Sequence, residues 1–100
     1  MTTQTRIPGR PDWASGALYS LMLDIFPGHR TKLGVLDIPR LTTELGKSHE
    51  AIYKWLRQGK LKPSNAHAIV NLASDPGNVA ELERLDRKPP KFEDFLPFFI

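Results

Sequence analysis

Apolar residues recur along the chain at helical spacing, and the polar and turn-forming residues between them mark where each helix should stop. Leu18, Leu21, Met22, Ile25 and Phe26 follow the i, i+3, i+4, i+7, i+8 pattern of one helix face, which predicts a first helix over residues 13–26, ended by Pro27 and Gly28. Residues 27–36 carry too little pattern to assign, although 32–36 would suit a short extended piece. Asp37 can cap a second helix over 38–45, with Pro39 in its first turn, where a missing N–H is harmless. Gly46 falls where a helix C-terminus favours a left-handed residue, and Ser48 can cap a third helix over 49–58, stopped by Gly59. After the basic loop Lys60-Leu61-Lys62-Pro63, Ser64 is the expected cap of a fourth helix that carries Ala66, Ile69, Val70 and Ala73 on one side. Asp75-Pro76-Gly77 closes it, and Asn78 with Glu81 resembles a capping box for a short fifth helix containing Val79, Leu82 and Leu85. With no internal repeat and no strand pair, the pattern predicts an all-α fold. It is a compact four- to five-helix bundle over 12–87, with a flexible N-terminal arm at 1–11 and an aromatic C-terminal tail at 88–100.

Charge changes this picture by its distribution. The chain of 100 residues has a net charge of only +3. Between residues 30 and 62, however, eight basic residues face three acidic ones, whereas residues 1–29 balance and residues 63–100 hold four basic residues against six acidic ones. A positive field concentrated on one segment suits a polyanion-binding surface, and equally a solvated lysine-rich face.

That segment contains the second and third helices. Leu41 and Leu45 face inward from one, Ile52, Trp55 and Leu56 from the other, and Thr42 sits where the two approach closely. The third helix leaves His49, Glu50, Tyr53, Lys54 and Arg57 on its polar face. The run Leu45-Gly46-Lys47-Ser48-His49-Glu50-Ala51-Ile52-Tyr53-Lys54-Trp55-Leu56-Arg57-Gln58-Gly59 resembles the helix-turn-helix of the Cro/lambda-repressor superfamily of phage and bacterial regulators. The likeness extends through Lys62-Pro63-Ser64-Asn65-Ala66 to Ala73. It implies a non-enzymatic transcriptional regulator, a Cro-like repressor, that binds double-stranded DNA at an inverted-repeat operator. Its recognition helix would enter the major groove. Carried onto this sequence, the resemblance implies His49, Glu50, Tyr53 and Lys54 as base readers, and Arg40, Ser48, Arg57, Lys60, Lys62, Ser64 and Asn65 as phosphate contacts. Glu50 has a second reading, as a first-turn carboxylate that favours the helix dipole.

The last nine residues hold four of the five phenylalanines. Each large side chain gains about 1.5–3 kcal/mol on burial, so such a tail must dock, on the chain's own core or on a partner subunit. Because helix-turn-helix proteins commonly bind two half-sites, a homodimer is expected through Phe92, Phe95, Leu96, Phe98 and Phe99, with Lys88-Pro89-Pro90-Lys91 as a stiff spacer. Arg6 and Arg10 would lie on the arm.

Other chemistry has little support. With no cysteine, and with His29, His49 and His67 at no metal-ligand spacing, neither a metal nor another cofactor is expected. No nucleophile–base arrangement or phosphate loop appears, so no small-molecule substrate is expected. The polar start and the lack of a run of ~20 apolar residues predict a cytoplasmic chain without a membrane partner. Two rival functions remain. A winged excisionase-like DNA-binding protein would need a β-hairpin after Leu61. A protein-interaction module, such as a small phage-type inhibitor of a host protein, could use the same scaffold with the aromatic tail as its apolar patch.

Overall fold

A computed structural model describes residues 11–100, which form five α-helices and one 3₁₀ helix in the order α1 Gly16–Ile25, α2 Ile38–Leu45, α3 His49–Gln58, α4 Pro63–Ala73, α5 Pro76–Arg84 and the 3₁₀ segment Phe92–Phe98. The described residues contain no strand, only two isolated bridges, Arg30 with Leu36 and Leu61 with Phe99. The architecture is all-α. The arm expected at 1–11, with Arg6 and Arg10, lies almost wholly outside the described residues.

The helix ends follow local chemistry. Asp37 Oδ1 accepts from the Arg40 N–H at 3.3 Å at the start of α2, and Ser48 Oγ accepts from the Ala51 N–H at 3.1 Å at the start of α3. Gly46 and Gly59 take left-handed φ values of 69° and 64°, so that their N–H groups turn back to Thr42 and Trp55 carbonyls. A side chain at either position would strain the backbone. Both helices occupy the residues expected of them, and Thr42 is buried where they meet.

Three boundaries differ from expectation. α1 starts at Gly16 instead of residue 13, because Pro11 to Ala14 close a turn (Ala14 N–H to Pro11 O, 3.1 Å) that turns the Trp13 ring toward Tyr19 and Tyr53. α4 is capped at Lys62, not Ser64, since Pro63 is already suited to the first helical position by its fixed φ. α5 is capped by Asp75, whose Oδ2 accepts from the Gly77 N–H at 3.1 Å. Asn78 therefore lies inside α5, buried, and its amide nitrogen donates to the carbonyls of Ile25 (2.9 Å) and Ala73 (2.8 Å). It ties α5 to the C-terminal ends of α1 and α4, whose last carbonyls have no partner within their own helices.

The unassigned connector 27–36 forms a tight loop in which the Thr31 N–H bonds to Val35 O at 2.8 Å and the Asp37 N–H to His29 O at 2.8 Å. The extended piece expected there amounts to the single Arg30–Leu36 bridge. Its last residue, Leu36, is buried and donates its N–H to Tyr19 Oη at 3.3 Å.

The core gathers Leu18, Tyr19, Met22 and Phe26 of the α1 region, Ile38 and Leu41 of α2, Ile52, Trp55 and Leu56 of α3, and Ala66 and Ile69 of α4. Phe95 joins them and is completely buried. The tail thus docks on the chain's own core, one of the two placements open from sequence. This takes Phe95 out of any subunit interface. Phe92, Phe98 and Phe99 are half-buried against the core, and only Leu96 of the five residues expected at a dimer contact is exposed.

Candidate nucleic-acid interface

The inner face of α3 is fixed by Ile52, Trp55 and Leu56, and this orients everything else on the helix. His49, Glu50, Lys54, Arg57 and Gln58 are exposed, and Tyr53 is half-buried. The two edges of the exposed face have different surroundings.

Along one edge the residues preceding α1 lie against the helix. The Trp13 ring is 5.2 Å from that of Tyr53 between centroids, and Asp12 Oδ1 lies 3.8 Å from Arg57 Nε. The Arg57 guanidinium lies 5.6 Å from the Tyr53 ring centroid, and the His49 ring is 6.4 Å from Tyr53. Of the expected contacts, Tyr53 and Arg57 are therefore already engaged within the molecule. Ser48 is likewise occupied as the α3 cap.

Along the other edge a groove of about 250 Å³ runs between α3 and the start of α4. Lys54, Lys60, Lys62 and Asn65 line it, as expected contacts, and so does Gln58, which the sequence reading left out. Trp55, Leu61, Ala51 and Ile100 provide its apolar lining. No Asp or Glu side chain lines the groove, and Lys54, Lys60 and Lys62 make its lining basic. Ser64, expected beside them, is exposed in the first turn of α4 and is not among the lining residues.

The loop that carries Lys60 and Lys62 is held from both sides. The Lys60 N–H bonds to Trp55 O at 3.2 Å, the Leu61 N–H to Phe98 O at 2.9 Å, and the Ile100 N–H to Leu61 O at 3.2 Å. The docked tail therefore acts as a strap on the basic loop. Further along it, the Phe92 ring stacks on His67 of α4 at 4.1 Å with planes 14° apart.

Arg40 departs from the expected set. Its Nε donates to Glu44 Oε2 at 3.1 Å and its Nη1 to the Gly28 carbonyl at 2.9 Å. It lines a separate cavity of about 500 Å³, together with His29, Glu44, Asp75, Asn78 and Glu81, which shares no residue with the lysine groove. Glu44 stands one turn along the same helix and pairs with the guanidinium. Glu44 also meets His29 Nε2 at 2.6 Å, and this hydrogen bond, followed by the Arg40 contact, holds its carboxyl below the usual value against the opposing effect of burial. Among the described residues the buried His29 Nδ1 has no hydrogen-bond partner. No signal in the sequence joined His29 to Glu44.

Among the described residues no group of three His, Cys, Asp or Glu side chains could hold a metal ion, and no helix is long and apolar enough to cross a membrane. Comparisons with protein-family models, curated proteins and solved structures returned no match to this chain.

Proposed function

We propose that the chain is a non-enzymatic, sequence-specific binder of duplex DNA and a regulator of transcription, in which α2, the Gly46 turn and α3 act as a helix-turn-helix. The observation that carries this reading is the convergence of Lys54, Lys60 and Lys62 with the amides of Gln58 and Asn65 on one groove lined by no acidic side chain. Lysine ammonium groups release counterions when they meet phosphates, and side-chain amides match base edges. α3 is ten residues long and exposes a polar face suited to a major groove. The Cro-like resemblance of residues 37–73 points the same way. Two copies on an inverted repeat would present two such grooves. The winged alternative loses its structural requirement, because α4 stands where a hairpin would follow Leu61.

The test is binding to a random duplex pool over a salt series. Each neutralised phosphate contributes about −0.9 to the log–log slope, so the phosphate-contact lysines of the groove, Lys60 and Lys62, alone predict a slope of roughly −2. A chain that retains no duplex at low salt is not a DNA-binding regulator. The exposed Leu96 and Ile100 would then make a protein-interaction module the better reading.

A further inference from the structure

Residues four apart on a helix share a stripe, and α3 carries two polar ones. His49, Tyr53 and Arg57 form the first; Glu50, Lys54 and Gln58 form the second, about 100° further round the helix. The first stripe faces the segment before α1: Tyr53 packs against Trp13, Arg57 lies beside Asp12, and His49 is exposed next to Tyr53, outside the groove lining. A phosphate approaching Arg57 would meet the Asp12 carboxylate already there. The second stripe is exposed, and its side chains make no hydrogen bond or ion pair with any described residue. Its C-terminal half opens directly onto the lysine groove.

Chemistry divides the groove residues. Lys54, Lys60 and Lys62 are donors only, able to neutralise phosphates or to donate to guanine. Gln58 and Asn65 are the two lining side chains that both donate and accept. That pairing of functions is what the adenine edge presents in the major groove, through N6 and N7. Gln58 is exposed at the last position of α3 and Asn65 is half-buried in the first turn of α4, so the two amides come from the two elements that form the groove.

We infer that sequence is read by the Glu50–Lys54–Gln58 stripe together with Asn65, with Gln58 and Asn65 selecting adenine, and that His49 and Tyr53 are not base readers. This rests on the DNA-binding reading and refines which residues carry its specificity. Tyr53 is instead a packing residue that seats the segment before α1 on α3.

Selection from a random-sequence duplex pool tests it, comparing the unaltered chain with Gln58→Ala, Asn65→Ala and His49→Ala, each checked for retained helicity by circular dichroism. Gln58→Ala should lose preference for adenine at a defined operator position, by roughly 5- to 150-fold for a bidentate contact, while other positions keep theirs. Asn65→Ala should do the same at a different position, and His49→Ala should return the unaltered consensus. The inference is overturned if Gln58→Ala selects the same consensus, if it weakens all duplexes equally, or if His49→Ala changes the consensus. If the unaltered chain binds no duplex, the DNA-binding reading falls and the inference falls with it. Duplex binding with an unmoved consensus overturns the inference alone.

Discussion

Replacing Phe95 by alanine asks whether the tail completes the chain's own core, as its geometry requires. The side chain is wholly buried, and the segment that carries it also supplies the Phe98 and Ile100 backbone partners of Leu61. A fully buried Phe→Ala replacement loses about 3–5 kcal/mol, from lost transfer free energy together with the cavity left behind. Against a total stability of about 5–15 kcal/mol for a domain, that is a large share. Urea denaturation followed by far-ultraviolet circular dichroism at 25 °C is the assay. With a slope of ~1–3 kcal/mol per molar urea, the midpoint should fall by one molar or more. The midpoint of the unaltered protein should also be independent of protein concentration. A core completed by a partner's tail would instead unfold at a midpoint that rises with concentration. Amide exchange adds a local readout, because release of the strap should deprotect the Leu61 N–H ahead of the α2–α3 unit. A loss of less than ~1 kcal/mol, or a concentration-dependent midpoint, would refute the intramolecular docking of the tail.

Three further outcomes follow from the same geometry. Asn78→Ala leaves the buried carbonyls of Ile25 and Ala73 without their side-chain donor, and should lower stability by about 1–3 kcal/mol in the same denaturation assay. Lys60→Ala should weaken all duplexes alike and reduce the magnitude of the salt slope by about one, leaving the selected consensus intact. The carboxyl of Glu44 is held below its ordinary value in the folded chain, so its contribution to stability is present above that ordinary value and is lost as pH falls through the lower, folded value. Glu44→Gln should accordingly flatten the acid limb of a stability–pH profile in that window, and an unchanged acid limb would show that the His29–Glu44 contact contributes nothing.

Much of the fold was legible because its signals are short-range. The Asp37 and Ser48 caps, the left-handed Gly46 and Gly59, and the apolar spacing of α2 and α3 act over three or four residues, so their effects can be read from neighbouring letters. The same locality explains the misplaced cap of α4: Ser64 is a good cap by type, but Pro63 before it already fits the first turn. Asn78 was misread for a related reason. Its spacing to Glu81 suits a capping box, yet Asp75 and Pro76 start the helix earlier and turn Asn78 toward two carbonyls that belong to other helices.

The site divides along the same line. The sequence by itself determined that positive charge gathers between residues 30 and 62, that two short helices meet there around a glycine turn, and that the phenylalanine-rich tail must dock. Only the tertiary structure decided where it docks and which cations stay free. Arg40 is drawn to Glu44 and Gly28, Arg57 to Asp12, and Tyr53 to Trp13, whereas Lys54, Lys60 and Lys62 remain together on one groove with Gln58 and Asn65. Arg40 and Glu44, and the groove residues between 54 and 65, are near neighbours in sequence, whereas the Arg40–Gly28, Arg57–Asp12 and Tyr53–Trp13 contacts are encounters between separate segments. Their occurrence depends on how whole helices pack, because burying α3 on Ile52, Trp55 and Leu56 sets which of its edges meets residues 12 and 13 and which meets α4.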